Sequence, residues 1–383
     1  MKKLTLIAVI MFSSLMILKA GDDKFTIGNK MSFKSEILDE ERSIIVYTPQ
    51  TYYLGKHDYP VMYLLDGAAH FHHVSGIVQF LSGHGSIPEM IVVAVENVDR
   101  TRDFSPSHVD KWPTTGGAEK FIHFLREELM PFVNNNFRTQ PYELLVGHSF
   151  GGTFATYALI NDPDLFKAYI AISPYLMYDD AFMVQQAKKK LPKSFNNDVN
   201  FYMTVGNEPD YFETLAEFQK VINERSPKGL ELTYLKMENE NHGTTPHMSI
   251  YNGLESIYSG WRLPKDAFSK GLVAVDDHYK LLSKKYGYTI ETPEYTINAL
   301  GYYLMNNENV DKAIAVFKEN VDRFPKSANV YDSLGEAYEN NNEFKKAEKN
   351  YKIAVDYARK IYHPNLSIYE DNLKRMQDKL AVK

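Results

Sequence analysis

The chain has 383 residues, a net charge of -6 and no cysteine. Its length exceeds one average domain, and 44% hydrophobic and 13% aromatic residues are enough to fill large cores, so disorder is not its default state. Zero cysteine excludes a disulfide framework, thiolate metal sites, a lipidated cysteine and cysteine catalysis, and the lack of a strongly basic stretch argues against nucleic acid as a partner.

At the start, Met1 to Ala20 carry Lys2-Lys3, an apolar run from Leu4 to Leu18 broken by Thr5, Ser13 and Ser14, and small Ala20 before Gly21. This is the pattern of a signal peptide, and the run is shorter than the roughly 20 apolar residues a membrane anchor needs. A periplasmic or secreted bacterial protein is expected, with stability drawn from core size and no stable membrane span once the leader is cut.

From Met31 to Trp261 strand and helix signals alternate. Ser43 to Tyr47 and Val61 to Leu65 are β-rich, Val74 to Leu81 is helical, and Ile91 to Val95 is a continuous apolar strand. Ala118 to Val133 sets Phe121, Leu125, Leu129 and Phe132 at helical spacing. Leu144 to Val146, Tyr169 to Ile172, Phe201 to Val205 and Leu230 to Leu235 are further strands, separated by helical stretches at Thr153 to Ile160 and Phe212 to Ile222. Apolar runs of this kind, linked by helices, predict a doubly wound, mostly parallel α/β sheet.

Beyond Trp261 the chain repeats itself at an offset of 34 residues. Ile297, Leu300, Gly301, Ala313 and Phe317 align with Tyr331, Leu334, Gly335, Ala347 and Tyr351. The period resembles tetratricopeptide units, with Phe324-Pro325 closing the first; flanking stretches Lys265 to Lys285 and Ser367 to Leu380 are expected to pack as helices. The expected organisation is a leader over 1–20, a catalytic domain over 21–262, a connecting helical segment over 263–292 and an all-α repeat region over 293–383. The repeats serve either as a structural extension or as a surface for a protein partner or self-association. So few units favour the first.

The chemistry lies at Gly147-His148-Ser149-Phe150-Gly151, between an apolar strand and a helix. A G-x-S-x-G elbow holds serine in a strained turn, and small neighbours let strand and helix approach. Ser149 is therefore the expected nucleophile. Acid and base should follow it in that order. The strand ending in Val205-Gly206 leads into Asn207-Glu208-Pro209-Asp210, where Glu208 is preferred because it lies nearer the strand end and is braced by Pro209, with Asp210 as the alternative. The last strand leads to Asn241-His242-Gly243, making His242 the expected base and His247 its reserve. His70, His72 and His73 cluster, but adjacent His72 and His73 cannot easily face one ion, so neither metal nor cofactor is expected. The oxyanion donors should be the Phe150 amide and one from Asp66-Gly67-Ala68, with Ala68 chosen. Phe71, Trp112, Tyr175 and Tyr178 are aromatics near strand ends that suit an aromatic acyl group or ordinary packing, and Arg100 and Arg102 could meet an anionic substrate or stay solvated.

Tyr63-Leu64-Leu65-Asp66-Gly67, Asn97-x-x-Arg100-x-x-Asp103, Gly116-Gly117-Ala118-Glu119-Lys120-Phe121, the elbow through Gly152, Ile172-Ser173-Pro174 and Glu240-Asn241-His242-Gly243 together carry a resemblance. Over roughly Gly28 to Arg262 the chain resembles an esterase family of α/β-hydrolases that includes siderophore, feruloyl and acetyl esterases, S-formylglutathione hydrolase and mycolyltransferases. It is most similar to the siderophore branch. The resemblance implies a serine carboxylic ester hydrolase acting on a small-molecule ester, with Ser149 and His242 carried over directly. The acid does not carry over cleanly, because the spacing after Gly206 is irregular compared with relatives, and a Ser-His dyad is the alternative. An acyltransferase of the same fold, and a binding protein with an inert hydrolase scaffold, are the alternatives.

Overall fold

Alternating side chains of the apolar runs serve two opposite faces, and this builds the molecule around one eight-stranded sheet. In the computed structural model, which describes residues 25–53 and 55–382, the strands are β1 Asn29–Ser35, β2 Glu40–Tyr47, β3 Tyr59–Leu64, β4 Ile91–Val95, β5 Thr139–His148, β6 Ala168–Ile172, β7 Ser194–Val205 and β8 Lys228–Lys236. The leader expected over 1–20 lies outside the described residues. The spatial order is β1-β2-β4-β3-β5-β6-β7-β8, with β1–β2 and β2–β4 antiparallel and every later pair parallel. This is the mostly parallel α/β-hydrolase sheet, with an antiparallel edge.

Val61, Tyr63, Val93 and Leu145 enter one core while Met62, Leu64, Val92 and Leu144 enter the other, as the two-residue period of a strand requires. On the first face lie α2 Arg100–Phe104, α3 Ala118–Phe124, a π-helical turn Leu125–Leu129 continuing into α4 Met130–Asn136, α5 Phe150–Asn161, α6 Tyr178–Lys190 and α7 Pro209–Arg225. The second face is covered by α1 Gly67–Gly83 and α8 Thr245–Ile257. The long helix foreseen from Ala118 is therefore present, with one wide turn inside it.

The second core does not stop at Trp261. Helices α9 Ala267–Lys270, α10 Leu272–Tyr286 and α11 Glu294–Asn306 add Ala267, Val275, Tyr279, Leu282, Tyr286, Ile297 and Leu300 to the same cluster. Tyr286 lies 5.2 Å from the rings of both Tyr142 and Tyr258. Tyr142 stands near the start of β5, so the extension docks at the amino ends of the strands, about 20 Å of strand away from the elbow at the other end.

The 34-residue period reappears as geometry. Helices α11 and α12 (Val310–Arg323) are followed by α13 (Ala328–Asn340) and α14 (Phe344–Lys360), and α15 (Leu366–Ala381) closes the stack. A Cβ on Gly301 would fall 2.5 Å from the Phe317 ring, and one on Gly335 2.8 Å from that of Tyr351. Each glycine thus admits an aromatic ring of the second helix in its pair.

Candidate active site

Strand β5 ends at His148 and α5 begins at Phe150, leaving Ser149 alone on the turn with φ 59 and ψ -118. Its N–H donates to the Ile172 carbonyl at 2.8 Å, and its own carbonyl accepts from Thr153 N–H at 2.9 Å. Any side chain at position 147 would collide with this turn, because a Cβ there would lie 2.1 Å from the Gly151 carbonyl oxygen. The elbow read from the glycine spacing is the backbone of the site.

Two further loops converge on it. After β7, Asn207 N–H donates to the Glu240 carbonyl at 2.6 Å, tying the loop that bears Glu208 to the loop that bears His242. His242 Nδ1 then lies 2.5 Å from Glu208 Oε1. With Nδ1–H donating to the carboxylate, Nε2 keeps its lone pair free to accept a proton. The Glu208 side chain is 10% exposed, whereas Asp210 is exposed in the first turn of α7. The carboxylate brought to the imidazole is that of Glu208. The His242 ring sits 4.5 Å from the ring of His148, the residue before Ser149, so the imidazole is placed beside the elbow.

His247 is exposed on α8 and its ring faces His73 at 5.3 Å. His70 and His73 share a hydrogen bond, Nδ1 to Nε2 at 3.0 Å, and His72 is exposed. Among the described residues no group of three or more histidines and carboxylates is arranged to hold a metal. Burial, followed by the charge of neighbouring imidazoles, pushes His148 down to about 3 and His73 down to about 4, so both stay neutral beside the site.

The loop before α1 turns at Asp66, whose φ is 55. Ala68 N–H follows in the first turn of α1, and Phe150 N–H opens α5; at these first positions the carbonyl four residues back belongs to the preceding strand, so neither amide has an acceptor within its own helix. Arg100 ties these two places together. Its Nε donates to Asp66 Oδ1 at 2.6 Å, and its Nη2 to Asp66 Oδ2 at 2.9 Å and to the His148 carbonyl at 3.0 Å. Asn97 Nδ2 adds a bond to Asp66 Oδ1 at 2.6 Å. Arg102 is occupied by Glu40 and Asp103, and buried Arg42 completes that network through Asp103 at 2.8 Å. The Asn97, Arg100 and Asp103 spacing, legible as a motif, thus serves carboxylates of the chain's own framework, which sequence reasoning did not assign.

Beside Ser149 the aromatics form a wall. Phe150 meets Tyr175 and Tyr178 at 5.3 Å each, Trp112 stacks on Tyr178 at 5.8 Å, and Tyr211 bridges Tyr175 to His242 at 5.9 and 5.8 Å. Tyr178 OH donates to the Ser107 carbonyl at 2.8 Å. Phe71 stands apart from this wall. Its ring fills the space over Gly28, 2.4 Å from where a Cβ would sit, and packs on the second core.

Comparison with known proteins finds a matching family and similar folds. The family model described as "Putative esterase" matches residues 35–243. The chain is similar to the ferri-bacillibactin esterase BesA of Bacillus subtilis, 28% identical over 212 residues that span 48% of this chain and 73% of the relative. It is also similar to the crystal structure of an IroE-like serine hydrolase from Shewanella oneidensis, with TM-score 0.66 and 26% identity over 78% of this chain and 99% of that one. An uncharacterised protein from Capnocytophaga ochracea shares the fold over 92% of this chain and 99% of its own, at TM-score 0.62 and 16% identity, a likeness that reaches into the helical extension.

Proposed function

Since this chain belongs to the Putative esterase family and is a carboxylic ester hydrolase, we propose that it cleaves its ester through Ser149, His242 and Glu208 by way of an acyl-enzyme. The observation that carries this reading is the Glu208–His242 pair, assembled from two separate loops and set beside a serine in a left-handed turn. His242 Nε2 takes the proton of Ser149 Oγ as that oxygen attacks the ester carbonyl. The resulting oxyanion accepts hydrogen bonds from Phe150 N–H and Ala68 N–H, and the alcohol leaves with the proton from His242. Water then gives its proton to His242, attacks the acyl-enzyme and releases the acid with Ser149 restored.

For the substrate we infer an ester with an aromatic acyl part, of catecholate or feruloyl type. The wall of Trp112, Phe150, Tyr175 and Tyr178 beside the nucleophile supports it. A panel of acetyl, feruloyl and catecholate esters tests this. The aromatic esters should show the higher kcat/KM, and preference for acetyl would overturn it. Export by the leader over 1–20 belongs to the same reading; among the described residues no helix is long and apolar enough to cross a membrane. The helical extension, docked at the far end of the strands, acts as support for the sheet and not as a wall of the crevice.

A further inference from the structure

In the Ile172-Ser173-Pro174 motif the Ile172 carbonyl anchors the elbow, but Ser173 has no part in the chemistry described so far, yet it is fully buried at the end of β6 with φ 38. A non-glycine residue pays for a left-handed backbone, and such strain persists where surrounding contacts demand it. Here the contact is specific. Ser173 Oγ donates to Glu208 Oε2 at 2.5 Å, and Gly206 N–H donates to the same oxygen at 3.0 Å. The Ser173 backbone is itself pinned, N–H to the Thr204 carbonyl at 2.8 Å. The two carboxylate oxygens therefore have divided duties. Oε2 is held by donors from β6 and the end of β7, and Oε1 is left to His242 Nδ1.

We propose that Ser173 is a positioning residue that orients the Glu208 carboxylate toward His242 and draws negative charge away from Oε1, a role that rests on the serine esterase reading above. Glycine would suit the left-handed backbone better but has no hydroxyl; serine at this strained place is explained by what its Oγ reaches. Without the hydroxyl, Oε2 loses a charge-assisted bond in a buried setting. The carboxylate can then rotate, and its Oε1 becomes a stronger acceptor that retains the His242 proton.

The test uses Ser173→Gly and Ser173→Ala in the full chain, with Ser149→Ala as reference, assayed on p-nitrophenyl acetate across pH and by thermal unfolding. Both Ser173 variants should lose about tenfold in kcat with KM unchanged, the scale of one hydrogen bond to a charged group. In both, the acid limb of the kcat/KM profile should move to higher pH. Ser173→Gly should melt above Ser173→Ala because only glycine relieves the backbone. A purely structural serine makes the opposite prediction, that activity follows stability and the glycine variant works normally. Wild-type kcat and an unmoved acid limb in Ser173→Gly, with Ser149→Ala inactive, would overturn the positioning role alone. Full activity in Ser149→Ala would instead overturn the nucleophile, and the present inference with it.

Discussion

His242 Nδ1 and Glu208 Oε1 meet at 2.5 Å although 34 residues separate them. The chain brings them together by pairing β7 with β8 in parallel and locking Asn207 to Glu240, so that two strand ends deliver the imidazole and the carboxylate to one side of the elbow. Replacing Glu208 by Gln keeps the shape but lets the amide present a donor to Nδ1 and favour the wrong tautomer. Turnover should fall about 10²–10⁴-fold, with binding little changed. Asp210→Asn, altering an exposed group in α7, should leave turnover near wild type, and steady-state kinetics of the two variants compare them directly.

Arg100 separates two uses of a cation. Its guanidinium is taken up by Asp66 and the His148 carbonyl, so removal should loosen the loop over Asp66 to Ala68 and lower kcat by about 10–100-fold while KM stays near its original value. Lysine should not rescue, because the contact to Asp66 is two-pronged. Asp66→Asn with Arg100→Met should cost little more than either alone in a double-mutant cycle. A rise in KM for anionic esters with kcat preserved would mean that Arg100 meets substrate.

The helical extension belongs to the sheet's second core. Tyr286→Ala opens a cavity against Tyr142 and Tyr258 and should cost about 3 kcal/mol in unfolding free energy, with kcat unchanged well below the melting temperature. A chain ended at residue 262 should lose cooperative thermal unfolding, since Val275, Tyr279 and Leu282 leave the same core. Calorimetry on both checks the claim.

Glu143 on β5 is raised to about 7 by burial, against which the Tyr63 hydroxyl and Lys167 act only partly. The folded state therefore binds a proton that the unfolded chain, at an ordinary carboxylate value near 4.5, releases. Stability from this group is present below that value and is lost as pH rises through about 7. Glu143→Gln should raise unfolding free energy at pH 8 by on the order of 2 kcal/mol and change it little at pH 4.

Much of the architecture was legible because buried parallel strands are near-continuous apolar runs; β4 matches its expected bounds, Ile91 to Val95, and the other central strands appear where such runs stand. Strand β1 was not, since an antiparallel edge with alternating exposure carries little apolar signal. Near the start of α6 a kink sets Asp179, Asp180 and Ala181 in left-handed backbone, a break that no propensity announces. In the site, Ser149 and His242 stood out by order and by strand ends. Glu208 stands ahead of Asp210 in the sequence only by lying nearer the strand end beside Pro209, because two residues so close together differ chiefly in direction. Asp66, the carboxylate partner of Arg100, and Glu208, that of Ser173, lie 34 and 35 residues away in loops that follow other strands, a distance that local spacing does not encode.

The central claim is that Ser149 is the nucleophile activated by His242, and covalent labelling with a fluorophosphonate probe tests it most directly. Intact-mass and peptide analysis should show one adduct per chain, on Ser149, absent in Ser149→Ala and formed far more slowly in His242→Ala. An adduct on another residue, or none on a chain that still hydrolyses p-nitrophenyl acetate, would contradict the account.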